Sequence, residues 1–234
     1  MVVEMESTGG NATARIEVQN LNRANLAFET RVNQAMFNAD GTISEQPRDD
    51  DFLVFPPQGI LPQQGRQVIR LQWVGGPLEA SRAYYLSVNQ LPVQLEENAA
   101  AGAGAQVQIL YHMKALVVVA PPGATPNVNV AGSRVEPFQP PAESEGGPLP
   151  AKVPGIAITL KNTGKRHAMM SGLTWIVEGK HIKGEEIRLV LTPEDLTKAI
   201  GTGYVAAVDG ERTFRIPTPV EFAPGPISVR FQQQ

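Results

Sequence analysis

Ala14-Arg15-Ile16-Glu17-Val18-Gln19-Asn20, a turn-like Asn22-Arg23-Ala24-Asn25, and then Leu26-Ala27-Phe28-Glu29-Thr30-Arg31-Val32 decide the fold class. Apolar and polar residues alternate on both sides of the turn. Period two places every second side chain on one face of an extended strand, so each half reads as a strand with one dry and one wet face. The same pattern recurs downstream. Asp51 to Phe55, Gln67 to Val74 (with Val68, Ile69, Leu71 and Trp73 apolar), Ala83 to Leu91 and a long segment from Gln106 to Ala120 bring the number to about seven strands before residue 121, the complement of one immunoglobulin-like sandwich.

Ala120-Pro121-Pro122-Gly123-Ala124-Thr125-Pro126 stops that series, because proline lacks the amide a ladder needs. A second series follows: Gly155 to Asn162, Ala168 to Glu178, His181 to Ile182, Ile187 to Leu191, Tyr204 to Val208, Thr213 to Ile216 and Ile227 to Phe231. The Pro/Gly/Glu-rich stretch between Pro137 and Gly155 reads as a long surface loop. Thr192-Pro193-Glu194-Asp195-Leu196 has the start signals of a short helical turn: Thr as N-cap, Pro at the first position and acids after it. The expectation is an all-β chain of two immunoglobulin-like β-sandwich domains, 1–121 and 122–234. A length of 234 residues suits two domains of that size.

Composition excludes several functions. A hydrophobic share of 42% and a charged share of 18% belong to a folded chain. The net charge of −3, without a dense basic face, argues against nucleic acid as a partner. No apolar run approaches the ~20 residues of a membrane span; the longest, Ala115 to Ala120, fits a buried strand, so no membrane insertion is expected. Met1-Val2-Val3-Glu4 opens on strand-like residues without a charged-then-apolar leader, as when a secretion signal has been removed or was never present.

No enzyme chemistry is expected either. The three histidines, His112, His167 and His181, form no i, i+4 pair and no HExxH, and there is no cysteine. GxSxG, P-loop and GxGxxG scaffolds are absent as well. No catalytic residue, metal or cofactor is therefore assigned. Asp49-Asp50-Asp51 lacks the ligand spacing of a calcium loop and reads as a solvated tip.

The segment from Ala99 to Ala120 differs from the rest. Ala99-Ala100-Ala101-Gly102-Ala103-Gly104 is a low-complexity tip that passes into Ala105-Gln106-Val107-Gln108-Ile109-Leu110-Tyr111, whose odd positions are apolar while Gln106 and Gln108 are polar. Such a stripe at the rim of a sandwich is exposed unless a partner covers it; the alternative is an ordinary hairpin with a mobile tip.

Three further stretches carry a specific likeness. Phe55-Pro56-Pro57, then Leu61-Pro62-Gln63-Gln64-Gly65-Arg66-Gln67-Val68-Ile69-Arg70-Leu71, then Ala83-Tyr84-Tyr85-Leu86-Ser87-Val88-Asn89-Gln90-Leu91-Pro92 resemble the N-terminal domain of PapD-like periplasmic pilus assembly chaperones of the chaperone-usher pathway. Asn162-Thr163-Gly164 and Asp209-Gly210 extend the likeness more weakly. The resemblance implies donor-strand complementation, in which an alternating strand fills the groove of a pilin that lacks its last strand. It assigns Ala105, Val107, Ile109 and Tyr111 to that strand. It also implies basic residues, here Arg82 and Lys114, that anchor the pilin's C-terminal carboxylate in a cleft between domains, and an interdomain role for Asp209. The implied partners are pilins and an outer-membrane usher, in the periplasm, with self-association when free. Gln90 where many relatives have glutamate, Ala120 or Val119 where an arginine often stands, and the lack of cysteine resemble a divergent branch such as the archaic group. Competing readings are a pilus structural subunit, for which the region before Ala14 is too short and acidic a donor arm, and a two-sandwich adhesion or carbohydrate-binding module.

Overall fold

The computed structural model describes residues 1–92 and 110–233. The chain divides into two compact units, one of 1–36 and 44–123, the other of 37–43 and 124–234. Both are β-sandwiches.

In the first unit the strands are β1 (Val2–Glu6), β2 (Thr13–Gln19), β3 (Leu26–Phe37), β4 (Ile43–Pro47), β5 (Phe52–Phe55), β6 (Gln58–Leu61), β7 (Arg66–Trp73), β8 (Arg82–Leu91) and β9 (His112–Ala120). One sheet runs β1-β9-β8-β3-β4, with β6 also on β3; the other runs β2-β7-β5. The alternation read in the sequence is the cause of this layering. Ile16 and Val18 of β2 and Ile69, Leu71 and Trp73 of β7 point inward and are buried, meeting Phe28, Val32, Tyr84, Leu86, Val117 and Val119 from the opposite sheet. Phe52 packs edge-on against both Trp73 and Tyr84, at 5.1 and 5.0 Å between ring centroids, a favoured aromatic geometry.

Polar side chains pin the turns of this unit. Asn20 is buried, and its amide Nδ2 lies within hydrogen-bond distance of the carbonyls of Ala24, Leu61 and Pro62, while its Oδ1 accepts from the Asn22 amide. The Pro62-Gln63-Gln64-Gly65 turn closes with Gly65 N donating to Pro62 O at 2.9 Å. A Cβ on Gly65 would lie 2.9 Å from that oxygen, so only glycine fits. The aspartates of the 49–51 turn are structural: Asp49 accepts from the Val32 amide, and Asp51 from the Tyr84 hydroxyl at 3.1 Å. Burial first, then the Asp51 charge, hold the Tyr84 hydroxyl neutral well above its ordinary range.

The second unit contains β10 (Val128–Val135), β11 (Gly155–Asn162), β12 (Ala168–Met169), β13 (Thr174–Lys180), β14 (Glu186–Leu191), α1 (Pro193–Ile200), β15 (Tyr204–Val205), β16 (Gly210–Pro217) and β17 (Ser228–Gln232). Its sheets are β10-β11-β16 and β14-β13-β17, with a short β12-β15 pair. Trp175 is fully buried beside Phe214, and its indole N–H donates to the Met170 carbonyl at 2.9 Å. Asn162 repeats the role of Asn20: Oδ1 accepts from the amides of Asn127 and Gly164, and Nδ2 donates to Arg166 O at 2.7 Å.

Several boundaries differ from the sequence reading. The Ala168–Glu178 segment is broken by a 3₁₀ turn at Met170–Gly172. The 137–155 loop is pinched by a reciprocal backbone pair between Phe138 and Val153. The expected turn at Thr192 is an eight-residue helix, with Thr192 and Asp195 forming a capping box and Gly201 ending it at φ 62°. Its length has a packing cause. Leu196, fully buried, shares a face with the partly buried Ala199 and Ile200, spaced three and four residues on.

Candidate strand-accepting edge

Strand β9 is bordered differently along its length. On one side it pairs antiparallel with β8 from Asn89↔His112 to Arg82↔Val119. On the other it pairs parallel with β1, but only from Leu116 to Ala120. Among the described residues, His112 to Ala115 have no strand on that second side.

Backbone direction on this edge follows from one bond. Gln90 N donates to Tyr111 O at 2.9 Å, so the Tyr111 backbone points toward β8. Along an antiparallel ladder that orientation alternates, which turns the amide and carbonyl of His112 and Lys114 outward. Leu116, next in the alternation, donates on the outward side to Met1 O at 3.1 Å. The strand is thus closed from Leu116 onward and open before it, the arrangement that accepts an added strand.

Side-chain parity adds a second property. Ala115, Val117 and Val119 face the core and are buried, and Tyr84, Leu86 and Val88 face the same way across the ladder. Tyr111 and Met113 have the same odd parity as Ala115, yet they are 49% and 44% exposed. An apolar stripe therefore leaves the core between Ala115 and Met113 and comes to the surface. Ala105, Val107 and Ile109, with Gln106 and Gln108, lie outside the described residues. Tyr111 stands at the start of the described strand, its amide 3.4 Å from Gln90 Oε1. The Gln90 carboxamide oxygen is the acceptor of that bond.

The two proposed anchor cations are not brought together. Arg82 lies opposite Val119 and Lys114 opposite Ser87. Five residues along β9 separate the two rungs, about 17 Å at strand rise. An odd separation also puts them on opposite faces: Arg82 on the core side, where it hydrogen-bonds the Tyr84 hydroxyl, and Lys114 on the outer side. The cation that shares a row with Lys114 is Arg31, across Ser87, about 10 Å away at normal strand spacing. Arg31 pairs with Glu29 at 2.9 Å.

Lys114 Nζ lies 2.7 Å from Glu45 Oε1 and 5.4 Å from the centre of the Tyr85 ring. Asn33 Nδ2 donates to the other Glu45 oxygen at 3.0 Å. Hydrogen bonds from Lys114 first and Asn33 second hold the Glu45 carboxyl below its ordinary range. Asp209, expected at an interdomain network, pairs at 3.2 Å with Lys161 of its own unit. Its neighbour Gly210 is required for packing, since a Cβ there would lie 2.4 Å from Ala206 O.

Comparison with known proteins gives a consistent picture. A family model described as pili and flagellar-assembly chaperone, PapD N-terminal domain, matches residues 3–125. Similar solved structures include one from a chaperone–tip adhesin complex of CFA/I fimbriae biogenesis, at 11% identity over all of this chain and 89% of that one, with a TM-score of 0.55. The class 5 fimbriae chaperone CfaA is similar at 12% identity over the same shares, with a TM-score of 0.55. The E. coli chaperone DraB is similar at 17% identity over all of this chain and 93% of that one, with a TM-score of 0.50. Identities this low show a shared fold. A search of curated proteins finds no significant match.

Proposed function

Because the chain belongs to the pili and flagellar-assembly chaperone family, and so is a pilus assembly chaperone, we propose that it holds an unfinished pilin by adding β9 and the residues before it to the pilin's open groove. The observation that carries this reading is the odd-parity apolar stripe that leaves the core at Ala115 on a strand whose edge is open before Leu116. Continuing that parity assigns Ala105, Val107, Ile109 and Tyr111 as the side chains that enter the groove. Each Val or Ile fully buried there is worth about 1.5 to 3 kcal/mol.

A guest strand on the open edge lies in line with β1, so a guest parallel to β9 ends where the β1–β9 pairing starts at Leu116. Its C-terminal carboxylate then arrives beside Lys114. This reading gives Lys114 the anchoring role without Arg82, and the positive potential of the row is shared with Arg31. A charge-assisted hydrogen bond of about 1.5 to 3 kcal/mol fixes the register that apolar contacts leave loose. The pilin is passed to an outer-membrane usher in the periplasm.

The test is co-purification. Val107→Asp together with Ile109→Asp places charges in the groove and removes the complex with a pilin encoded in the neighbouring reading frames, while the chaperone alone keeps its melting temperature. Undiminished complex yield contradicts the reading.

A further inference from the structure

The anchoring lysine is already occupied. Lys114 Nζ and Asn33 Nδ2 each hold one oxygen of the Glu45 carboxylate, at 2.7 and 3.0 Å, and the Tyr85 ring flanks the ammonium. A donor on each oxygen fixes the Glu45 carboxylate in place. All three supports lie on the outer face of one sheet. Asn33 pairs with Tyr85, Tyr85 with Leu116, and Lys114 is on that same face one row away.

From this geometry, and resting on the reading of Lys114 as the anchor, we infer that Glu45 is a resident placeholder on Lys114, displaced when a guest's C-terminal carboxylate binds. Asn33 is a positioning residue that holds Glu45 against the lysine. Glu45 has two effects. In the free chain it keeps the ammonium neutralised, so the open edge does not present an uncompensated cation. In the complex it competes for the ammonium, and two carboxylates on one ammonium repel each other. The grip on the guest is weakened accordingly, which suits a chaperone that must hand its guest on. The pair is on the surface, with side-chain exposures of 47% for Lys114 and 27% for Glu45, so the competition is modest, about 3- to 5-fold in affinity.

The experiment measures binding of two synthetic octapeptides that alternate threonine and valine, one with a free C-terminal carboxylate and one with a C-terminal amide, to the full chain and its variants. Wild type is expected to prefer the carboxylate. Glu45→Ala and the isosteric Glu45→Gln are expected to tighten carboxylate binding about 3- to 5-fold while leaving the amide unchanged. Asn33→Ala, which removes the second hold on Glu45, is expected to tighten carboxylate binding in the same direction and by less. In a Lys114→Gln background, removal of Glu45 should have no effect, which separates competition from a general change in the fold. If wild type prefers the carboxylate but both Glu45 variants bind it equally or more weakly, the placeholder role is overturned and the anchor stands. If wild type fails to bind the peptides or does not distinguish them, the anchor reading falls and this inference falls with it.

Discussion

The Leu116 amide donates to the Met1 carbonyl at 3.1 Å, and this bond is the point on β9 where a closed sheet edge gives way to an open one. From Leu116 to Val119 the strand pairs on both sides; among the described residues, His112 to Ala115 pair only with β8.

Hydrogen exchange reads that border directly. In the free chaperone the amides of His112 and Lys114, which point outward, exchange faster than those of Leu116 and Val118, which β1 covers. On pilin binding, His112 and Lys114 become protected and the other two hardly change. Equal protection of all four in the free protein would contradict an open edge.

Parity predicts a separation of stability from binding on one face. Leu86→Ala, within the core opposite Ala115, costs about 2 to 5 kcal/mol by cavity formation. Met113→Ser, on the exposed continuation of the same stripe, changes the free protein by under about 0.5 kcal/mol but weakens its hold on a pilin. Denaturant melts of both variants, set beside pull-down yields, check the pair.

The buried asparagines are worth testing as matched cases. Asn20→Ala in the first unit and Asn162→Ala in the second each leave backbone groups without their partner, at a cost of about 1 to 3 kcal/mol. Each loss should appear in the unfolding of its own unit. A neutral effect in either would mean that water replaces the side chain.

Acid should weaken the second unit through Glu136. Arg134 and Arg215 flank Ala157 in one row of β10-β11-β16, and the Glu136 carboxylate pairs with both, with Arg215 Nε at 2.6 Å. The Arg215 hydrogen bond, more than the Arg134 one, holds the Glu136 pKa below its ordinary value. A depressed carboxyl stabilises the fold above its unfolded value, about pH 4.3, and that contribution disappears as pH falls through the folded value. The melting-temperature difference between wild type and Glu136→Gln should be constant from pH 6 to 8, roughly, and shrink below about pH 4.5. A difference that grows in acid would contradict the assignment.

What the sequence made legible follows from which side chains carried a period. β2 and β7 alternate, and their bounds agree with the sequence pattern to within a residue, because each has one dry face. β4, Ile43-Ser44-Glu45-Gln46-Pro47, is exposed at every position and offers no dry face to detect. The short Gln58-Gly59-Ile60-Leu61 spans too few alternating positions to mark a strand. The cap of α1 was readable from Thr192 and Pro193, but its length depended on Leu196, Ala199 and Ile200 finding a core. Asn162-Thr163-Gly164 and Asp209-Gly210 stood out as likenesses, and both are packing requirements: the Asn162 side chain ties backbone, and Gly164 and Gly210 leave no space for a Cβ.

Arg82 shows a limit of a different kind. Arg82 and Lys114 lie on adjacent strands, but register decides which rungs meet, and an odd offset sends a side chain to the other face. The residue that does meet Lys114, Glu45, and the Asn33 that holds it come from β4 and β3, distant in sequence and unmarked by any motif.

The most direct test of the central claim uses the absence of cysteine in the chain. Single substitutions to cysteine at each position from 105 to 111 are labelled with a maleimide, first in the free chaperone and then in complex with a pilin. The account predicts that Ala105→Cys, Val107→Cys, Ile109→Cys and Tyr111→Cys label freely alone and are shielded in the complex, while Gln106→Cys and Gln108→Cys label in both. Shielding of the odd positions in the free chaperone, or of the even positions in the complex, would contradict it.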